Sequence, residues 1–141
     1  MKRVLLLLPF LNGCDDVYYN HQDIAAIEFY KHNIEVIKNL TNNEEILGWV
    51  YNCDGKYTYS DYMIGSTKNI VKYIDKFGCS RVGIVHSHPL PDNDKLTRDL
   101  FSAADFKTSY SYTMYLIAKE NCYIRKSNSG RNVYLTSLES C

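Results

Sequence analysis

Two histidines separated by a single residue, His86 and His88, form the clearest metal-binding pattern in the sequence. They end a short apolar run, residues 82–86, which is typical of a buried central strand. Residues i and i+2 of a strand point to the same face, so the two imidazoles should lie side by side. Asp105, in the first turn of a predicted helix, is a candidate third ligand. Two histidines and one carboxylate around zinc leave a fourth position open for water, which is the usual layout of a catalytic site.

A purely structural interpretation of these residues is also open. Ser102 and Asp105 have the Ser-x-x-acid spacing of a capping box, and in this interpretation both serve only to start the helix. His86 and His88 could likewise be loop histidines beside the turn-forming Pro89. The combination, rather than any one residue, favours a metal site.

The elements that must position these residues alternate between helices and strands. The predicted helices cover residues 22–40, residues 67–76 (capped by Ser66 and ended by Gly78) and a segment that opens at residues 102–105. The predicted strands cover residues 45–51, 56–62, 82–86, 112–119, 122–125 and 132–136. Asp54-Gly55 is a hairpin signal, because both turn positions tolerate positive φ. Residues 89–100 are predicted to be a loop. This order favours a single α/β domain with a mixed sheet flanked by helices.

Composition narrows the class of protein. The chain has 141 residues, 45% of them hydrophobic, and a formal net charge of zero. It can therefore build a core, and disorder is not expected. The charges are scattered, which argues against nucleic-acid binding, since such proteins carry a basic patch or stripe.

The first fourteen residues have the pattern of an export signal. Lys2 and Arg3 precede an apolar run, residues 4–11, that is too short to span a bilayer. Leu11-Asn12-Gly13-Cys14 resembles the lipobox of bacterial lipoproteins, which predicts a signal peptide over residues 1–13 and lipidation of Cys14. The mature domain would then be residues 14–141, anchored at the periplasmic face of a membrane. The alternative is a cytoplasmic protein whose first strand is residues 4–8.

Four cysteines remain in the predicted mature domain. If the chain is exported, they meet an oxidising compartment where disulfides persist. Three full pairings are possible, and the sequence does not choose among them. The four are Cys53, Cys79, Cys122 and Cys141.

The motifs together resemble a known family. His86-Ser87-His88-Pro89, then Ser102-x-x-Asp105, preceded by Glu45-x-x-Gly48, look like the JAMM (JAB/MPN/Mov34) metalloprotease superfamily. The resemblance implies an MPN, cytidine-deaminase-like fold and Zn²⁺ held by the two histidines and Asp105. It also implies that Glu45 takes the proton of the zinc-bound water and later delivers it to the leaving amine. Ser102 would hydrogen-bond the oxyanion.

The chain departs from the best-known members in one place. Residues 89–101, between His88 and Ser102, form a longer and acidic spacer, similar to that of a branch of uncharacterised bacterial domains. Within it, Asp99 is a rival third ligand, although Asp105 is preferred because the Ser-x-x-Asp unit comes with it. Glu44 is the alternative base, although Glu45 keeps the three-residue step to Gly48.

The leading expectation is a zinc-dependent peptidase or isopeptidase-like hydrolase that acts on a peptide or protein. One alternative is a non-catalytic lipoprotein module that keeps the fold for binding or assembly, since the long spacer could cover the site. Another is a secreted toxin or effector domain of the same branch.

Overall fold

The computed structural model describes residues 17–66, 74–89, 100–118 and 123–137. Several predictions lie outside the described residues: the signal peptide with Cys14, residues 67–73 of the second helix, residues 90–99 of the spacer with Asp99, and Cys122 and Cys141.

A mixed sheet forms the centre of the domain, as the sequence predicts, and it has seven strands where six were predicted. Its strands are β1 (Glu44–Cys53), β2 (Lys56–Tyr59), β3 (Met63–Ser66), β4 (Ser80–His86), β5 (Thr113–Ala118), β6 (Tyr123–Asn128) and β7 (Arg131–Ser137). The order is β2-β1-β4-β5-β6-β7, and β3 pairs with β1 on the same edge as β2. Among these strands, only β4 and β5 pair in parallel. A parallel pair needs a crossover, which passes through the segment that carries Asp105.

Three helices accompany the described part of the sheet: α1 (Gln22–His32), α2 (Ile34–Lys38) and α3 (Ala103–Thr108). The prediction of one helix over residues 22–40 is wrong in its continuity, because Asn33 leaves helical geometry at φ −113° and ψ 16°. Its side-chain amide donates to the Phe29 carbonyl at 2.8 Å, a local bond that competes with the helix. The buried face of α1 includes Ala25 and Phe29, whereas Ile24 is 44% exposed.

The two faces of the sheet carry separate hydrophobic clusters. One face packs against α1, whose buried Phe29 lies over Gly48. A Cβ on Gly48 would stand 2.2 Å from Phe29 Cε2, so this close approach requires glycine. The opposite face, called here the site-side cluster, contains Leu47, Trp49, Tyr51, Ile84, Phe101, Met114 and Leu116. The predicted histidine and carboxylate ligands stand at the edge of this second cluster.

The hairpins follow the sequence prediction closely, with one strand misplaced. Asp54 and Gly55 have φ of 57° and 85°, so the Asp-Gly turn between β1 and β2 is confirmed. The strand predicted over residues 56–62 ends at Tyr59 as β2, and a strand that was not predicted, β3, begins at Met63. The break falls at Ser60, whose amide and hydroxyl are both bonded to the backbone of Trp49.

The helix predicted to end at Lys76 does not reach that residue, since Ile74 to Lys76 are not helical. Two contacts hold this stretch against the sheet. The Tyr51 hydroxyl donates to the Ile74 carbonyl at 2.8 Å, and Cys79 is joined by a disulfide to Cys53 at the end of β1. The structure thus selects Cys53–Cys79 among the pairings that the sequence left open. Within the described ranges, no helix is long and apolar enough to cross a bilayer.

Candidate metal centre

The predicted ligands meet where the parallel strand β4 ends. His86 is the last residue of β4 and is buried, and His88 follows two residues later. Asp105 lies in the first turn of α3, on the crossover between β4 and β5. Sites at the carboxyl ends of parallel strands are common, because the crossovers bring side chains together there.

The distances among these side chains suit a metal ion. His86 Nε2 lies 3.3 Å from His88 Nε2 and 3.3 Å from Asp105 Oδ1. His88 Nε2 lies 2.8 Å from Asp105 Oδ2. Two ligand atoms bound to one tetrahedral zinc at about 2.0–2.1 Å stand about 3.3–3.4 Å apart. Within the described residues, these three form the only group of histidine, cysteine or acidic side chains that could hold a metal ion.

The capping box of α3 aims the Asp105 carboxylate. Ser102 N donates to Asp105 Oδ2 at 2.9 Å, and Asp105 N donates to Ser102 Oγ at 3.1 Å. Burial alone would raise the pKa of the Asp105 carboxyl, but hydrogen bonds with His86 and His88 outweigh burial and hold this pKa well below its usual range. Asp105 is therefore an ionised carboxylate that faces two imidazoles.

Of the two adjacent glutamates, Glu45 is the one that lies near the centre. Leu47 pairs with His86 across β1 and β4, so Glu45, two residues before Leu47, projects on the same face at the level of His88. Burial raises the pKa of Glu45, the neighbouring imidazoles of His86 and His88 partly oppose that rise, and the Asp105 carboxylate adds to it. Glu44 instead accepts a hydrogen bond from the Thr41 amide at 2.9 Å, which lowers its pKa.

Ser102 serves as the N-cap of α3, as the structural interpretation predicts. Because its hydroxyl oxygen accepts from the Asp105 amide, the hydroxyl keeps its own proton to donate. The residue is exposed, so that proton is accessible from solvent. The cap and a role toward a ligand are therefore compatible at this position.

The ring of His86 is enclosed on its inner side. Phe101 packs beside it, with ring centroids 6.4 Å apart. His86 Nδ1 is buried and has no hydrogen-bond partner in the part of the chain that the structure describes. In metal-bound histidines, the N–H of this second ring nitrogen usually donates a hydrogen bond to an acceptor. The three side chains could therefore hold a metal ion, while the nitrogen behind the His86 ring has no partner among the described residues.

Sequence reasoning missed Ser87, the residue between the two histidines. Its side chain is fully buried, and both its amide and its hydroxyl bond the backbone of Ile46 on β1. One signal was available in the sequence. Ser87 is two residues after Val85, where strand alternation predicts another apolar residue, yet it is small and polar.

Comparison of the chain with models of protein families, with curated proteins and with solved structures gives no match.

Proposed function

We propose that the chain is a zinc-dependent peptidase or isopeptidase-like hydrolase of the JAMM type, built on an MPN-like fold. The observation that carries the proposal is the convergence of His86, His88 and Asp105, whose nearest ligand atoms lie 2.8–3.3 Å apart, with Glu45 beside them. A peptide bond or an isopeptide bond of a protein is the substrate class that such a site attacks by hydrolysis.

Zinc is the metal proposed because two imidazoles and one carboxylate form a common catalytic zinc ligand set. The same set also binds non-haem Fe(II) in oxygenases, which leave open positions for dioxygen. A carboxylate base next to the ligands favours hydrolysis instead, because hydrolysis needs an acceptor for the proton of water. Metal analysis of the purified protein separates the two metals directly.

Zinc bound here would lower the pKa of a coordinated water toward neutrality. Glu45 would accept the proton and return it to the leaving amine. A carboxylate whose pKa is raised by burial suits the first step, because it is a stronger base than an ordinary glutamate and its pKa lies closer to that of the zinc-bound water. The exposed Ser102 hydroxyl would donate to the oxyanion, while Asp105 stays fixed by the Ser102 amide.

The decisive experiment compares two neighbouring substitutions. Glu45→Gln should leave zinc bound at one ion per chain and lower hydrolysis by about 10²–10⁴-fold, the usual contribution of a general base. Glu44→Gln is the matched control, since Glu44 bonds the Thr41 turn, and it should keep activity near that of the wild type. The probes are internally quenched peptide pools and lysine ε-linked isopeptides. Full activity of the Glu45→Gln protein would refute the mechanism.

The location proposed for the domain is the periplasmic face of a bacterial membrane, with a lipid anchor on Cys14. The lipobox-like sequence is its main support, and the Cys53–Cys79 disulfide adds to it, because disulfides persist in oxidising compartments. Wild-type protein expressed from the full chain should fractionate with membranes, and the Cys14→Ser variant should be released. Wild-type protein found only in the cytosolic fraction would refute the anchor.

A second candidate is a non-catalytic module that keeps this fold for binding or assembly. The observation in its favour is that His86 Nδ1 has no partner among the residues that the structure describes, since a metal ligand normally has an acceptor at that nitrogen. The metal content of the purified protein distinguishes this module from the hydrolase. Less than stoichiometric zinc after dialysis against zinc-containing buffer would support the module and reject the hydrolase.

A further inference from the structure

Ser87 joins the end of β4 to β1 by two hydrogen bonds. Ser87 N donates to the Ile46 carbonyl at 3.0 Å, and Ile46 N donates to Ser87 Oγ at 3.0 Å. Regular β1–β4 pairing ends one residue earlier, at Leu47 and His86. The serine hydroxyl therefore replaces a backbone acceptor and continues the strand contact by one further residue.

The sequence neighbours of the two residues in this contact belong to the candidate centre. Ser87 lies between His86 and His88, and its partner Ile46 directly follows Glu45. We propose that Ser87 is a positioning residue, whose hydroxyl holds the Glu45 end of β1 at a fixed distance from the metal ligands. This inference rests on the proposed hydrolase function, because it concerns the placement of the proposed base.

The burial of the contact makes the hydroxyl necessary. Ser87 and Ile46 are both 0% exposed, so no solvent replaces a lost acceptor for the Ile46 amide. A buried amide without an acceptor is unfavourable, and the strand can relieve it only by moving or opening. The ligands would stay in place, because the two histidines lie on the other strand and Asp105 is held by α3. Glu45 is the group that would shift.

A second serine makes the same pair of bonds to β1 away from the centre. Ser60 N donates to the Trp49 carbonyl at 2.9 Å, and Trp49 N donates to Ser60 Oγ at 2.9 Å. Ser60 is also buried, at 8% exposure. Trp49 lies four residues along β1 from Glu45, which is about 13 Å in an extended strand. Ser60→Ala therefore removes an equivalent bond without touching the proposed base.

The test measures four variants of the full chain loaded with zinc: Ser87→Ala, Ser87→Cys, Ser87→Thr and Ser60→Ala. Cysteine keeps the volume of serine but is a weak acceptor, and threonine keeps the hydroxyl. The readouts are zinc affinity by chelator competition, kcat and KM on the fastest-cleaved quenched peptide, and hydrogen exchange of the Ile46 amide.

For Ser87→Ala and Ser87→Cys we expect zinc affinity near the wild-type value and kcat lowered about 10- to 100-fold, with KM little changed. Exchange of the Ile46 amide should accelerate in both. Ser87→Thr should have a kcat near that of the wild type. Ser60→Ala should also keep the wild-type kcat, but the Trp49 amide should exchange faster in that variant. If Ser87→Ala and Ser87→Cys turn over as fast as Ser60→Ala, the positioning role is wrong.

Failure of the proposed function gives a different result. In that case the wild-type protein and the Glu45→Gln variant would be equally inactive. Hydrogen exchange of the Ile46 amide would still test the contact between Ser87 and Ile46. Unchanged exchange of the Ile46 amide in Ser87→Ala, beside faster exchange of the Trp49 amide in Ser60→Ala, would overturn the inference without reference to activity.

Discussion

Replacement of Ser102 by alanine should separate two roles at one position. The substitution removes the oxygen that accepts the Asp105 amide at 3.1 Å but keeps the Ser102 amide that donates to Asp105 Oδ2 at 2.9 Å. The carboxylate should therefore remain aimed at His86 and His88, and zinc affinity should change little. Loss of the N-cap should destabilise the domain by about 1 kcal/mol. Loss of the proposed oxyanion donor should lower kcat by about 10²–10³-fold.

The two effects are distinguishable because their sizes differ. A loss of about 1 kcal/mol changes the ratio of folded to unfolded protein about fivefold, which leaves a stable domain almost fully folded. It cannot explain a hundredfold loss of turnover. The assays are urea unfolding, chelator competition for zinc, and kcat on the fastest-cleaved quenched peptide.

Two further substitutions at Ser102 complete the design. Ser102→Asp restores an acceptor for the Asp105 amide, so stability should return, but an ionised carboxylate has no proton to donate and kcat should stay low. Ser102→Thr keeps both the acceptor and the donor. A Ser102→Ala protein that loses stability yet keeps wild-type kcat would show that Ser102 is a helix cap alone. A large loss of zinc affinity would show that the hydroxyl, rather than the amide, orients Asp105.

Three predictions concern the scaffold. Gly48→Ala should destabilise the domain by about 1–3 kcal/mol, because the new methyl overlaps the buried Phe29 ring; an unchanged urea midpoint would contradict that packing. Reduction of the Cys53–Cys79 disulfide, which closes a loop with a sequence separation of 26, should lower the free energy of unfolding by about 3.5 kcal/mol, measured with and without reductant. Burial, followed by the hydrogen bond to a carboxylate, raises the pKa of the Tyr115 hydroxyl above its ordinary value near 10. The folded state therefore favours the neutral hydroxyl. Its contribution to the free energy of unfolding is fully present below pH 10 and is lost as the pH rises above 10. Between pH 9 and pH 11, the urea midpoint of the wild type should fall more than that of Tyr115→Phe.

Local patterns allowed much of the sheet to be predicted. The Asp54-Gly55 turn and the strands on either side follow from short-range chemistry, which the fold does not override. The meeting of His86 with His88 follows from strand alternation. Asp105 joins them because the parallel β4–β5 pair requires a crossover, and the capping signature at Ser102 locates its helix.

The remaining features depend on contacts between distant segments. The break at Asn33 is a local exception, because it comes with a side-chain bond to the Phe29 carbonyl that apolar helix periodicity does not contain. β3 was missed because it is only four residues long and gains its pairing from β1. The disulfide depends on the register of β1 with β4, which places Asn52 opposite Ser80 and so brings the next residues, Cys53 and Cys79, together.

The parallel pairing of β4 with β5 has a consequence for how the centre forms. Glu45, the histidines and Asp105 lie on separate segments, and pairings between distant segments form slowly in folding. A partly folded chain offers a metal ion only the two neighbouring imidazoles. Metal capture by all three ligands would therefore be a late event, and the ion would bind the native state alone. At free metal one hundred times its dissociation constant, such binding adds about 2.7 kcal/mol to the stability of the fold. The metal supply of the surrounding compartment would then set the lifetime of the folded chain as well as the occupancy of its centre.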